Sequence, residues 1–123
     1  MIDASFLLLY VTDPHASARF WAALLGRPPV EESDTFAMLP LRDGVMLGLW
    51  KRDGVAPKAD LLGGGGEIGF TVADRAAVDA THADWVARGI PVLQAPTEMD
   101  FGRTFTAVDP DGHRLRVFTT AEG

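Results

Sequence analysis

Apolar and polar positions along the chain follow one arrangement, and that arrangement occurs twice. In each copy an apolar run leads to an aspartate, a helical stretch and a glycine. Aspartate before a helix accepts hydrogen bonds from the first-turn amides, and glycine after it adopts the left-handed conformation that ends the helix. The apolar runs are 6–11 and 68–72, the aspartates are Asp13 and Asp74, the helices extend to Leu25 and Arg88, and the glycines are Gly26 and Gly89.

Each predicted helix carries apolar residues at helical spacing, which indicate the side that it buries. These residues are Phe20 and Leu24 in the first helix, and Val78, His82, Trp85 and Val86 in the second. Because Trp21 and Trp85 lie on helices, we expect them to pack in the core. The three histidines, His15, His82 and His113, are expected to be structural or solvated.

Short runs with strand character follow each helix and are separated by turn signals. The runs are 29–32, 36–41 and 45–50 in the first half, and 92–93, 104–108 and 115–119 in the second. The turn signals are Asp34, Arg42-Asp43-Gly44 and Asp109-Pro110-Asp111-Gly112. The pattern predicts an α+β fold of two βαβββ modules. A single domain spans 1–123, with module one at about 1–51, a linker at 52–65 and module two at about 66–123.

Composition narrows the class of protein. The 123 residues are 47% hydrophobic and 23% charged, which is ordinary for one soluble globular domain. The absence of cysteine excludes disulfide scaffolds, cysteine nucleophiles and thiolate metal sites. A net charge of −6 without a basic stripe opposes binding to nucleic acid, and no apolar stretch is long enough to span a membrane. We therefore expect a cytoplasmic protein with neither a nucleic-acid nor a membrane partner.

The whole chain resembles the vicinal oxygen chelate superfamily, which includes glyoxalase I, extradiol dioxygenases, and fosfomycin- and bleomycin-resistance proteins. The resemblance rests on the two βαβββ modules and on the segment 109–118, Asp-Pro-Asp-Gly-His-Arg-Leu-Arg-Val-Phe. Within the superfamily, Gly48-Leu49-Trp50 and Phe101-Gly102-Arg103-Thr104-Phe105 are similar to segments of phenazine-resistance and quinoxaline-binding (thiocoraline-type) proteins. The resemblance implies a curved mixed sheet with a concave binding cup, and a homodimer with exchanged modules.

Enzymatic members of that superfamily hold a divalent metal on His, Gln or Glu side chains from both modules. The resemblance places the four ligand positions on Phe6, Gly48, Glu67 and Arg116. Phenylalanine and glycine have no side-chain lone pair, and a guanidinium repels a cation. We therefore expect no metal, no other cofactor and no catalytic residue.

Strand alternation places most residues of the binding cup on one face of each strand, and the resemblance to phenazine-resistance proteins adds Phe101 and Arg103. The expected ligand-binding residues are Phe6, Tyr10, Met46, Gly48, Trp50, Glu67, Phe101, Arg103, Arg116 and Phe118. Trp50 is the principal candidate because the resemblance to phenazine binders includes it. Glycine at position 48 is expected to let a flat ring approach the backbone. Glu67 and Arg116 are expected to pair when the site is empty, and Arg116 or Arg103 to hold a ligand carboxylate or carbonyl.

Three functions fit these residues. The leading hypothesis is a metal-independent binding protein that sequesters a planar aromatic antibiotic, phenazine-like or quinoxaline-like, and so confers resistance. The alternative is an enzyme of the superfamily, a lyase, isomerase or dioxygenase-like protein, with Glu67 as general base. The neighbouring Arg116 opposes that role because it lowers the basicity of the carboxylate. A third hypothesis is an accessory module that carries a ligand within a biosynthetic pathway.

Overall fold

The computed structural model describes residues 2–122, which divide into two compact units on either side of the Gly63–Gly64 bond. The first unit comprises β1 (Phe6–Val11), α1 (Pro14–Leu25), β2 (Glu31–Glu32), β3 (Phe36–Arg42), β4 (Val45–Lys51) and a 3-10 turn (Arg52–Gly54). The second comprises β5 (Glu67–Thr71), α2 (Arg75–Ala87), β6 (Val92–Met99), β7 (Gly102–Val108) and β8 (Arg114–Thr119). Each unit is a βαβββ module, so the predicted fold class is confirmed. The division falls within the segment 52–65 that was predicted to be a linker.

The two units have the same sheet topology. The strand order is β1-β4-β3-β2 in the first unit and β5-β8-β7-β6 in the second. In both, the strand before the helix pairs in parallel with the last strand, and the remaining pairs are antiparallel. A parallel pair needs a crossover connection, and the helix is part of that connection in each unit.

One face of each sheet is buried beneath the helix of the same unit. In the first unit Trp21 of α1 is fully buried, together with Val11, Leu47 and Leu49 of the sheet. In the second, the Trp85 ring of α2 packs edge-on against Phe70 and Phe105, with ring centroids 5.7 Å and 5.3 Å away. The predicted packing roles of both tryptophans are confirmed.

The helix ends follow the predicted capping chemistry. Asp13 accepts a hydrogen bond from the backbone N–H of His15 at 3.0 Å, and Asp74 accepts one from Ala77 at 2.8 Å. Gly26, at φ 68°, ends α1. The second helix stops one residue earlier than expected, at Ala87, and the chain turns at Gly89 with φ 80°. Among residues 2–122, neither helix is long and apolar enough to cross a membrane.

The predicted buried stripes of the helices are partly wrong. Val86 is 52% exposed, and Phe20 and Leu24 are only half-buried. In α1 the buried residues are instead Pro14, Ser17, Ala18 and Trp21. Small residues let a helix approach the sheet closely, so the packed face of α1 follows Ser17, Ala18 and Trp21 and not the Phe20–Leu24 pair indicated by apolar spacing.

Two strands also differ from their predicted bounds. β2 spans only Glu31–Glu32 and is shorter than 29–32: Pro29 has no N–H for the ladder, and Val30 lies outside the strand although its N–H donates to the Met38 carbonyl. β6 extends to Met99 and is far longer than 92–93, although Pro96 lies within it. Proline is tolerated there because β6 is an edge strand, and its pairing with β7 is irregular between Val92 and Thr97.

The histidines have local contacts. The His15 ring lies between two carboxylates, with Nδ1 bonded to Glu32 and Nε2 2.8 Å from Asp34. These hydrogen bonds raise the pKa of His15. The His82 ring packs edge-on against Phe105 at 5.2 Å. The structural interpretation of both histidines is confirmed.

The turn between β6 and β7 depends on Gly102. Its φ of 143° is rarely adopted by other residues, and a Cβ atom there would lie 2.0 Å from the carbonyl oxygen of Thr119. Since that contact is with backbone, it cannot be relieved by a side-chain rotation. The β6–β7 turn therefore requires glycine at this position.

We expect Gly102→Ala to destabilise the protein by about 3 kcal/mol or more, because it combines a strained φ with a backbone clash. Urea unfolding measures the loss. Gly66→Ala is the matched control, since Gly66 has open space around it and no positive φ. Equal stability of the two variants would show that the described turn is wrong.

Candidate functional site

The sheet of the first unit leaves uncovered the face opposite α1, which we call the apolar open face. Register and alternation place three rows of side chains on it. The rows are Tyr10, Trp50 and Phe36; then Leu8, Gly48 and Met38; then Phe6, Met46 and Pro40. None of these residues carries a charge, and a carboxylate enters only at the edge, where Glu31 of β2 lies opposite Met38.

Part of the apolar open face is a shallow concavity of about 450 Å³ lined by Phe6, Leu8, Phe36 and Trp50. Phe6 is 53% exposed and Leu8 is 44% exposed, although both are large and apolar. The Tyr10 ring stands edge-on to Trp50 with centroids 6.4 Å apart. An uncovered surface of this composition favours contact with another apolar or aromatic group.

Gly48 does not present bare backbone, contrary to expectation. It is buried, and a Cβ atom added to it would lie 2.5 Å from Cδ2 of Leu8 and 3.1 Å from Cζ of Phe36. The two larger side chains occupy the space that the missing side chain leaves. A ring reaches the backbone of Gly48 only if Leu8 or Phe36 moves.

The uncovered face of the second sheet, opposite α2, is here called the polar open face. Its strands contribute side chains at the equivalent positions. The rows are Thr71, Phe118 and Thr104; then Gly69, Arg116 and Thr106; then Glu67, Arg114 and Val108. Charged and hydroxyl groups therefore dominate the polar open face, whereas the apolar open face has almost none.

Glu67 and Arg116 form a two-point ion pair on the polar open face. Nε of Arg116 donates to Oε1 of Glu67 at 2.7 Å, and Nη2 donates to Oε2 at 2.9 Å. Nη1 donates to the Thr104 hydroxyl at 3.2 Å, and that hydroxyl donates to the carbonyl of Val117 at 2.9 Å. The pairing predicted from the sequence is confirmed.

This pair sets the protonation of both groups. The hydrogen bonds from Arg116 hold the pKa of Glu67 below its usual range, and the carboxylate raises the pKa of Arg116. Glu67 is therefore a weak base with both oxygens engaged. The arrangement opposes the alternative role of Glu67 in proton abstraction.

Two further predicted residues meet near the end of the polar open face. The rings of Phe101 and Phe118 lie edge-on with centroids 6.0 Å apart, and Phe101 is 43% exposed. Beside them, a Cβ atom added to Gly69 would be 3.3 Å from Cε1 of Phe118. These rings give the polar open face a small aromatic edge.

Arg103 lies on the opposite side of its sheet from Arg116. Its guanidinium contacts Asp79 of α2 at 2.9 Å and Glu98 at 3.8 Å. It shares strand parity with Phe105, which packs against α2, so alternation directs it to the helix side. Arg103 is therefore held on the helix side, away from the polar open face, and its role in ligand binding stays a prediction.

The four positions to which the sequence resemblance assigns metal ligands do not fit a metal ion here. Phe6 and Gly48 in the first unit offer no side-chain donor. In the second, Glu67 already shares both oxygens with Arg116, a permanent cation. Residues 2–122 contain no group of three His, Cys, Asp or Glu side chains placed to hold a metal ion.

Sequence reasoning left several residues out of the candidate site. Leu8 was assigned to the correct face but not to the site, and Phe36 was overlooked. Counting back by twos from Met38 would have placed Phe36 beside Trp50. Thr104 and Thr106, which lie next to Arg116, follow from the same alternation on β7.

Comparison with known proteins agrees with this architecture. Residues 4–117 match the family model described as the Glyoxalase/Bleomycin resistance protein/Dioxygenase superfamily. The chain is 29% identical over 119 residues to the phenazine antibiotic resistance protein EhpR of Enterobacter agglomerans, covering 94% of this chain and 91% of that protein.

Solved structures show the same fold. The solution NMR structure of protein ATC0852 from Agrobacterium tumefaciens is 53% identical, with a TM-score of 0.88 over 98% of this chain and 99% of that one. A glyoxalase/bleomycin resistance protein/dioxygenase from Nocardioides superimposes with a TM-score of 0.84 at 24% identity, over 100% of this chain and 86% of that one.

We expect Arg116→Met to raise the pKa of Glu67 towards that of an ordinary carboxyl group, because the hydrogen bonds from Arg116 are the main cause of its depression. A depressed carboxyl pKa stabilises the fold above the unfolded-state pKa, and this contribution is lost as pH falls through the folded-state value. The stability difference between wild type and Arg116→Met should therefore shrink in acid. NMR titration of the Glu67 carboxyl carbon and unfolding curves against pH measure the two effects.

Arg114→Met is the matched control, since Arg114 lies opposite Glu67 but acts on it only through a weaker coulombic interaction. It should raise the pKa of Glu67 less than Arg116→Met does. Equal rises in the two variants would contradict the described hydrogen bonds.

Proposed function

This chain belongs to the Glyoxalase/Bleomycin resistance protein/Dioxygenase superfamily, and we propose that it is a metal-independent binding protein that sequesters a planar aromatic antibiotic. The expected ligands are phenazine-like or quinoxaline-like, and their removal from solution would protect the host. The proposal includes the cytoplasmic location expected from the sequence. The observation that carries it is the uncharged, aromatic character of the apolar open face.

The apolar open face suits the flat surface of a ring system. Trp50 and Phe36 stand side by side in register, and both line the concavity with Phe6 and Leu8. A ligand of two or three fused rings that buries about 200 Å² of apolar area gains roughly 5 kcal/mol before the costs of association. Offset or edge-on ring contacts add about 0.5–1.5 kcal/mol each. Burial and ring contacts alone therefore give only modest affinity, and polar contacts must add to them.

Similarity to EhpR supports the choice of ligand class. That protein is described as conferring resistance to a phenazine antibiotic, and the match extends over nearly the full length of both chains. At 29% identity it indicates a related role and leaves the identity of the ring system to experiment. Quinoxalines are included because they present a similar flat, nitrogen-containing ring.

The chemistry of the polar residues favours binding over catalysis. Three of the four positions that bear metal ligands in enzymatic relatives are Phe6, Gly48 and Arg116, none of which is a metal donor. Glu67 has a lowered pKa and is therefore a poor general base. In this proposal the ligand leaves chemically unchanged.

We also propose a homodimer. Relatives of this size are expected to pair with exchanged modules and to build two equivalent sites by two-fold symmetry. Native mass spectrometry should show twice the 13.2 kDa chain mass, with retained compound where one is bound. A monomer at micromolar concentration would contradict the dimer and leave the binding proposal to be judged on its own test.

Trp50→Ala should weaken phenazine or quinoxaline binding by about 2 kcal/mol, roughly thirtyfold in Kd, because it removes an aromatic wall of the concavity. Isothermal titration calorimetry measures the change without depending on the lost fluorophore. In wild type, the tryptophan fluorescence should be quenched to saturation at a fixed stoichiometry.

Leu93→Ala is the control, since Leu93 is 55% exposed and lies on β6 of the other unit, outside the apolar open face. Its Kd should stay within about twofold of wild type. If phenazine or quinoxaline does not quench the tryptophan fluorescence of wild type to saturation, the proposal is contradicted. So would a new product in mass spectra after incubation, which would identify an enzyme.

A further inference from the structure

The Arg116 guanidinium retains two hydrogen-bond donors after its contacts are counted. A guanidinium has five N–H groups. Nε and Nη2 each use one on Glu67, and Nη1 uses one on Thr104. Each terminal nitrogen bears two hydrogens, so Nη1 and Nη2 keep one N–H each. The side chain of Arg116 is 21% exposed, so these donors remain within reach of a small molecule.

The charge of Arg116 is already balanced. The Glu67 carboxylate contacts it through both oxygens at 2.7 Å and 2.9 Å. A second anion would have to displace this carboxylate or lie close to it, and like charges at that distance repel one another. A neutral acceptor can use the remaining donors without either penalty.

A buried hydroxyl lies next to the same guanidinium. Thr106 is opposite Arg116 in the β7–β8 register, and the residue is 2% exposed. Its Oγ1 atom has no hydrogen-bond partner within the described chain. That oxygen has almost no accessible surface, so a ligand acceptor completes it only if neighbouring side chains shift, and the hydrogen bond gained then contributes to binding.

We propose that the Glu67–Arg116 ion pair and Thr106 form a donor site that binds an uncharged acceptor of the ligand, such as a carbonyl oxygen, and that the paired Glu67 carboxylate discriminates against ligand carboxylates, although the exposed Arg114 lies opposite Glu67 on the same face. The sequence left open whether Arg116 holds a carboxylate or a carbonyl, and the ion pair favours the carbonyl. The site lies within the second unit alone; this inference rests on the proposed function and names an uncharged hydrogen-bond acceptor as the group that the polar open face takes.

Two probes of nearly equal shape test the discrimination. Acetophenone presents a ketone oxygen, and benzoate replaces its methyl group with a second, charged oxygen. Each is titrated into ¹⁵N-labelled protein while the Arg116 Nε–H signal and the Thr104 and Thr106 amide signals are followed by NMR. We expect acetophenone to shift these signals saturably, and benzoate to bind at least tenfold more weakly.

The Glu67→Gln variant should change the preference. Glutamine keeps the shape and one acceptor but leaves the charge of Arg116 unbalanced, so benzoate should bind roughly tenfold more tightly than to wild type. Acetophenone should change by less than about threefold. Glu98→Gln is the control for net charge, because Glu98 pairs with Arg75 elsewhere in the unit. It should leave both probes unchanged.

Thr106→Val replaces the unpaired hydroxyl by a methyl group of similar size and should weaken acetophenone by about fivefold. The proposal is overturned if benzoate binds wild type as tightly as acetophenone, or if Glu67→Gln leaves benzoate binding unchanged. It is also overturned if acetophenone shifts the Trp50 indole signal alone, which would leave the proposed function intact. Failure of the proposed function would appear in a different experiment, as absence of phenazine binding when wild type is titrated and its tryptophan fluorescence is followed.

Discussion

Each unit depends on the burial of one face of a four-stranded sheet beneath a single helix. Alternate side chains of every strand point to that helix, and the core they form also buries Trp21 in the first unit and Trp85 in the second. Because a sheet has two faces and each unit has one helix, the other face is left uncovered within the unit. The candidate functional chemistry lies on these uncovered faces for that reason.

The two units share topology and register but differ in the chemistry of their open faces. At equivalent positions the first has Phe6 and Gly48, and the second has Glu67 and Arg116. The two open faces therefore differ in their side chains and not in the course of the backbone. An apolar face contributes to recognition through buried area, whereas a polar face contributes through directed hydrogen bonds.

The Glu67–Arg116 pair is the main electrostatic feature of the polar open face. Its two short hydrogen bonds keep Glu67 ionised and Arg116 charged, yet the pair as a whole is neutral. Cation chelation requires several lone pairs that are not already shared with a cation. A general base requires one lone pair that is both free and basic. The pair meets neither condition, but it holds a rigid set of donors in place. That property suits selection of a ligand.

The sequence by itself determined the modules, the bounds of β1 and α1, the two aspartate caps and the Glu67–Arg116 pairing. The modules, element bounds and caps depend on near neighbours, whereas the Glu67–Arg116 pairing, between residues 49 positions apart, followed from the family resemblance that assigned both positions to one site. Only the tertiary structure decided that Leu8 and Phe36 close over Gly48, and that Arg103 is held by Asp79 on the helix side. It also showed the small residues of α1 on the packed face and the length of β6. Such outcomes depend on which distant segments pair and how closely they approach, and no local signal in the sequence encodes that distance.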